Sequence, residues 1–315
     1  MLLTFTPKII RYANLYFFIQ NLSEWHFSNR KDHNKIWRNE QQFSVEAESC
    51  IQEFRKIHEQ YPFGDKYLGR PFFLHQDPWP AIKLLVGKDD AVKIKNIFAT
   101  LELYFDSIYM KDEVLLKEWE MIIAKPSFVS SASYINNTLA NFYGCMPYDK
   151  NCIVYLLLST EKKNGGTAGT ISNNAITLEV SRTSIELEKH IRNILWHELI
   201  HLYFRNCIFY SLLEKYTNNN WEIMGEIDEL VASALLPNGL LKQNTLSSID
   251  KSRTPKSFNA RVVSEKIILI QELIYPYLKK NRPIDEEFVK ELNNICDKKE
   301  DNNFLSSSND VMSTL

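Results

Sequence analysis

The 315-residue sequence holds no CxxC pair, no surplus of either charge, no long apolar run and no internal repeat. Each absence removes a class of protein. The five cysteines, Cys50, Cys145, Cys152, Cys207 and Cys296, are odd in number and scattered, which argues against a disulfide framework and against a cysteine-built zinc site. They read as small buried hydrophobes in a reducing compartment. With Lys+Arg 37 against Asp+Glu 39, the net charge of -2 sets up no field that would gather nucleic acid or an anionic membrane. No stretch approaches the ~20 apolar residues of a membrane-spanning helix. Near the N-terminus the apolar Leu15 to Ile19 is bounded by Asn14, Gln20 and Asn21, with no small-residue cleavage site after it. A cytoplasmic protein without a nucleic-acid or membrane partner is expected. Asn164 to Gly169 is glycine-rich but lacks the Gly-Lys-Ser/Thr of a phosphate loop, and reads as a turn.

What is present is a globular composition, 44% hydrophobic and 12% aromatic, enough to bury a large core. Apolar residues recur at helical spacing from Phe43 to Tyr61, stopped by Pro62 and Gly64. Asp89 and Asp90 stand where helix caps belong, ahead of a stripe through Val92, Ile97, Leu101, Tyr104, Phe105 and Ile108. Glu113 to Ala124 predicts a further helix, closed by Pro126. The texture changes at Cys152, where Ile153 to Leu158 form the continuous apolar run of a buried strand. Ala175 to Val180 alternate as a half-buried strand does, and the two strands suggest one hairpin. Thr183 and Glu186 have capping-box spacing at the start of a long helix. A second helix, Trp221 to Leu236, ends at Pro237 and Gly239. Beyond the polar linker Gln243 to Ser257, helices are expected over Ala260 to Lys280 and Ile284 to Cys296. The polar stretch from Asp297 to the C-terminus reads as a disordered tail.

The chemistry sits in His197-Glu198-Leu199-Ile200-His201. Two imidazoles four residues apart share one face of a helix, one turn apart, and can meet a single metal ion. Glu198 is rotated off that face, better placed to reach a metal-activated water than to bind the metal, which is the position of a general base. Burying two imidazoles and a carboxylate in an apolar helix is costly unless something, most simply a cation, satisfies them. A catalytic zinc needs a third protein ligand and an open position, and Glu222, Glu226 and Glu229 fall along one face of the next helix, opposite Ile223, Ile227, Val231 and Leu235. An acidic stripe of this kind is equally the pattern of a solvated face.

HELIH followed by EIDELVASALLP resembles the zincin metallopeptidases, in which a glutamate on the following helix completes a His-His-Glu zinc site. The local pattern is most similar to the bacterial ImmA/IrrE-type peptidases, with Glu226, Asp228, Ala232, Leu235 and Pro237 at matching places. The resemblance implies an α+β zincin-like core, Zn2+ as cofactor, His197, His201 and Glu226 as its ligands, Glu198 as the catalytic base, and a peptide or protein substrate. Glu229, one turn on, is the alternative ligand or an acceptor that orients a ligand histidine. The resemblance spans Thr183 to Pro237 alone. It also implies that Ala175 to Val180 is the sheet edge that pairs with an extended substrate. His190, two turns before His197, reads as a solvent-facing or capping residue that shares the ligand face, and Tyr203, Arg205 and Tyr210 as packing or surface residues with the chemistry to act as an electrophile.

The expected organisation is a mainly helical region over 1–133, a zincin-like core over 134–240, packing helices over 241–297 and a tail over 298–315. Two other functions fit the same residues: a zincin-fold binding or immunity-type module without turnover, and a metal-dependent hydrolase of non-peptide amides.

Overall fold

A computed structural model of the chain describes residues 4–25, 31–61, 66–145, 151–160, 165–182, 187–242, 245–251 and 258–297. The fold is α+β, mostly helical with a small four-stranded sheet. The Pro62 and Gly64 helix stop, the Thr183 and Glu186 capping pair, Asn164 of the glycine-rich turn, residues 252–257 of the linker and the 298–315 tail lie outside the described residues. No helix among the described residues is long and apolar enough to cross a membrane.

The chain divides into two compact units, each discontinuous in sequence: Thr4–Val129 with Asn151–Leu195, and Ser130–Lys150 with Trp196–Leu315 and Met1–Leu3. The first contains β1 (Thr4–Lys8), α1 (Arg11–Leu22), α2 (Lys31–Glu40), α3 (Val45–His58), α4 (Arg70–Leu74), α5 (Trp79–Val86) and α6 (Lys88–Ile123), then β2 (Asn151–Leu158), β3 (Gly166–Ala168) and β4 (Ala175–Val180). The division of the chain falls within α7 (Pro126–Tyr143) and α8 (Leu187–Asn206). The second unit holds α9 (Ile208–Tyr216), α10 (Trp221–Leu235), α11 (Phe258–Lys280) and α12 (Glu286–Asp297).

In the first unit the strand order is β1-β2-β4-β3; β1, β2 and β4 run parallel and β3 pairs antiparallel with β4. The expected hairpin is therefore absent: Ile153 to Leu158 pair in parallel register with Ala175 to Val180. Nor is β4 the edge of the sheet, because β3 covers its far side at Gly166 to Ala168. The alternation in β4 does not mark a wet face. Thr177 bonds the hydroxyl of Thr167 at 2.8 Å, and the Ser159 hydroxyl donates to Glu179 at 3.3 Å, so the polar side is satisfied by neighbouring side chains. Such a strand can be buried on both faces. β1 has no counterpart in the sequence reading.

Asn14 of α1 is buried and stitched to β2: its Nδ2 donates to Leu156 O at 3.0 Å and its Oδ1 accepts from Leu158 N at 2.7 Å. These bonds satisfy a polar side chain that would otherwise be costly inside an apolar core. Tyr16 stacks on Phe72 at 5.2 Å and Phe72 on Phe98 at 4.6 Å, which ties α1, α4 and α6 together. Residues 88–123 form one helix of 36 residues, where two were expected; nothing between Lys88 and Ile123 is Gly or Pro, so nothing interrupts it. Asp89 and Asp90 lie in its first turn and not at the cap, where their charge favours the positive end of the helix. The cap is Gly87 at φ 84. α3 starts as expected, with Ser44 Oγ accepting from Ala47 N.

In the second unit α10 packs on α11, α11 on α12, and α12 on α9. Tyr203 of α8 is fully buried and donates to Asn136 Oδ1 at 2.6 Å, while Tyr143 stacks on it at 5.8 Å. Cys145 and Cys207 form a disulfide with their Cα atoms 6.0 Å apart, a pairing their sequence positions do not suggest. Cys50, Cys152 and Cys296 form no disulfide among the described residues.

Candidate metal centre

His197, Glu198 and His201 lie in the C-terminal half of α8, within the second unit. Leu195, Trp196, Leu199, Ile200, Leu202, Tyr203 and Phe204 around them are all buried, so the helix is held by its apolar faces and its histidine face is fixed in direction. One helical turn brings the two rings to 4.8 Å between centroids, at 82° to each other, and their Nε2 atoms to 3.2 Å.

The next helix supplies the rest. Asn220 caps α10, its Oδ1 accepting from the backbone N of Glu222 at 3.1 Å and of Ile223 at 3.3 Å. Ile227, Val231 and Leu235 are fully buried, as their spacing predicts, and this rotation carries Asp228 and Glu229 to the histidines. After Leu235 the chain turns back sharply: Leu240 N bonds Ala234 O at 2.9 Å and Leu241 N bonds Leu235 O at 2.8 Å. Only glycine fits at 239, where a Cβ would stand 2.0 Å from the Ala234 carbonyl oxygen. The same turn presents the Leu236 carbonyl to His197 Nδ1, at a long 3.5 Å.

His201 Nδ1 faces Asp228 Oδ2 at 2.8 Å. With each Nδ1 directed at an acceptor, an imidazole in its neutral form can carry its proton on Nδ1 and turn an Nε2 lone pair inward, as a metal ligand must. The Glu229 carboxylate meets those lone pairs, Oε2 at 3.4 Å from His197 Nε2 and Oε1 at 3.6 Å from His201 Nε2. In that form three acceptors converge, and what relieves their repulsion is a shared cation: a metal ion, or in its absence a proton on an imidazole. Ligand atoms about 2.1 Å from a tetrahedral zinc stand about 3.4 Å from one another. The separations here, 3.2, 3.4 and 3.6 Å, bracket that value, and the three residues could hold a metal ion. The Glu229 side chain is 52% exposed, so the group is open to solvent on its side.

The electrostatics agree with the contacts. Burial pulls the His201 pKa down, but the Asp228 charge and hydrogen bond, helped by Glu198 and Glu229, outweigh it and raise the value to about 9. Burial pushes Glu229 up, yet the hydrogen bond from His197 and the charges of both histidines and Arg205 hold its carboxyl below the usual range. Glu198, almost fully buried, is raised: burial dominates, opposed by His201 and His197.

Of the expected site residues, His197 and His201 come together and Glu198 lies buried beside them in charge range. Glu226 does not join them. Its carboxylate is 59% exposed and reaches Lys266 Nζ at 3.4 Å, and Glu229 occupies the third position. His190 lies in the first unit, edge-on to Trp119 at 6.2 Å, with its pKa lowered by burial. Tyr203 is committed to Asn136, Tyr210 sits edge-on to Phe204, and Arg205 is exposed. Two participants escaped the sequence reading. Asp228 was noted for its place in the pattern but not as the partner of His201, and the Leu236 carbonyl leaves no side-chain signal. No family model matches the chain, nor does any curated protein or solved structure.

Proposed function

We propose that the chain is a zinc-dependent metallopeptidase of the zincin type, with His197, His201 and Glu229 as the metal ligands and Glu198 as the general base. The observation that carries this reading is the convergence of three potential ligand atoms at tetrahedral-edge distances, with the outer nitrogens of both imidazoles turned to acceptors of their own. The resemblance of HELIH and the following helix to the zincins supports it.

Zinc held there supplies a Lewis acid and lowers the pKa of water towards ~7. Asp228 fixes the tautomer and orientation of His201, and the Leu236 carbonyl does so more weakly for His197. Glu198 has the burial and the raised pKa suited to taking a proton from an attacking water and returning it to the departing amine. Its position one residue after His197 keeps it off the ligand face and free for that exchange.

The test is metal analysis of the purified chain followed by cleavage of a peptide library with and without chelator. One zinc per chain, chelator-sensitive cleavage, and loss of cleavage by on the order of 100-fold or more in Glu198→Gln with the zinc retained are the expected results. A protein that binds zinc, cleaves no peptide and co-purifies with a stoichiometric partner would establish the binding-module reading instead.

A further inference from the structure

On α6 the buried residues Ile94, Phe98, Leu101, Phe105, Ile108, Leu116, Trp119 and Ile123 cover one face. The opposite face should be polar, as on any amphipathic surface helix. It is not. Val92, Leu103, Met110, Val114 and Met121 are 53, 76, 75, 66 and 63% exposed, and Ala99 is exposed with them. At about 100° per residue all six fall within roughly 40° of one line running along the helix, a line that the exposed Asn96 and Lys117 also share, each interrupting it once on either side of its middle. Their spacing alternates seven and four, an eleven-residue repeat that keeps an apolar seam nearly straight on an α-helix.

The stripe is also a palindrome in position. Val92 and Met121, Ala99 and Val114, and Leu103 and Met110 stand at equal distances on either side of the point between Asp106 and Ser107. We propose that this stripe is a self-association face, on which α6 of a second copy of the chain packs antiparallel about a two-fold axis beside Asp106 and Ser107. A two-fold interface needs a patch complementary to itself, and this symmetry sets each side chain against its counterpart, Val92 on Met121, Ala99 on Val114 and Leu103 on Met110. On the flanks the same axis turns Lys93 towards Glu118 and Lys95 towards Glu120. Glu102 and Asp106, which would face like charges near the axis, are already paired with Arg11.

Size argues for a reversible dimer. From Val92 to Met121 the stripe is ~44 Å long at 1.5 Å per residue and ~10 Å wide, or roughly 440 Å² per copy. Two copies bury roughly 900 Å², near the ~1,000 Å² lower limit for a specific interface. A weak, concentration-dependent association is expected of an interface of this size. The proposal is independent of the metal centre.

The test uses the full chain. Sedimentation equilibrium across roughly 1–100 μM should give a monomer–dimer equilibrium. The double variant Leu103→Asp/Met110→Asp should weaken it by on the order of 100-fold. Cysteine cross-linking reads the geometry without destabilising the fold. With helix axes 8–10 Å apart, the two copies of residue 107 have Cα atoms about 6 Å apart, within disulfide range. Ser107→Cys should therefore link to itself on oxidation. Val92→Cys, ~44 Å from its copy, should not, whereas Val92→Cys combined with Met121→Cys should. A wild-type chain that stays monomeric at the top of the range, a dimer indifferent to the aspartates, or Val92→Cys linking to itself as readily as Ser107→Cys would each overturn the proposal.

Discussion

Replacing Asp228 by Asn keeps the volume of the side chain and removes its charge, and so probes the proposed metal centre through a group outside the proposed ligand set. The Asp228 carboxylate lies 2.8 Å from His201 Nδ1, and the two side chains are 9% and 7% exposed, so solvent screens the pair little. Carboxylates that hold a ligand histidine in this way contribute about 10–100-fold to metal affinity, equivalent to about 1.4–2.8 kcal/mol. The depth of burial places Asp228→Asn towards the upper end. Zinc affinity measured by competition with a chromogenic chelator should fall accordingly, with the far-ultraviolet circular dichroism unchanged. The metal-free protein gives a second readout. His201 is raised from 6.5 to about 9 because the Asp228 charge and hydrogen bond overcome burial, which alone would lower it. A raised folded pKa stabilises most below the unfolded value and loses that contribution as pH rises through the folded one. Denaturant unfolding of chelator-treated protein should show Asp228→Asn destabilised most near pH 6, with the gap narrowing towards pH 9. A folded variant that binds zinc within twofold of wild type, or a gap that widens with pH, would refute the reasoning.

Three further outcomes follow from the same contacts. Glu229→Gln should abolish stoichiometric zinc binding at micromolar metal, while Glu226→Gln, which loses only a 3.4 Å surface contact with Lys266, leaves it intact; equilibrium dialysis distinguishes the two. Arg182 forks between Glu40 and the buried Asp112, and Arg182→Met should cost roughly 3 kcal/mol in urea unfolding at pH 7, chiefly by removing the partner of the buried Asp112, since Glu40 keeps Lys111 at 3.7 Å. The hydrogen bond from Arg182, working against burial, holds Glu40 below its usual 4.5, so its stabilisation exists above that pH and fades as pH falls; the deficit of Arg182→Met should shrink in acid. Tyr203→Phe removes a hydroxyl that donates to the buried Asn136 side chain and should destabilise by about 1–3 kcal/mol.

The helical part of the fold was legible because amphipathic spacing and stop residues are local. α3 lies within the Phe43 to Tyr61 stretch, α10 starts after Asn220 and ends before Pro237, and α8 is apolar around its histidines, all as the pattern predicts. The sheet was not legible, because pairing depends on residues distant in the chain. β1 is five residues with two threonines and a proline, too short and too polar to stand out, yet it lies parallel to β2 across some 147 positions of sequence. Nothing local to Ala175 to Val180 states that Ser159 and Thr167 will satisfy Glu179 and Thr177, and without them alternation looks like a solvent face.

The same distinction explains which glutamate joins the two histidines. Glu222, Glu226 and Glu229 share one helical face, and periodicity alone cannot say which of them meets a neighbouring helix; that depends on where along its length α10 crosses α8. Two features settle it, and both lie at the C-terminal end of α10. Gly239 lets the chain fold back on Ala234, which brings the Leu236 carbonyl against His197, and the short sequence step from 236 back to 229 and 228 then leaves those two carboxylates, and not Glu226 a turn earlier, within reach of the imidazoles. An alanine at 239 should therefore act on the metal centre from outside it. Its Cβ would stand 2.0 Å from a backbone oxygen that cannot move without unwinding the last turn of α10, so Gly239→Ala should lower both stability and zinc affinity. Surface substitution at Glu226 should lower neither, and paired measurements of urea midpoint and zinc affinity that showed the reverse order would place the crossing point of the two helices one turn nearer the N-terminus of α10.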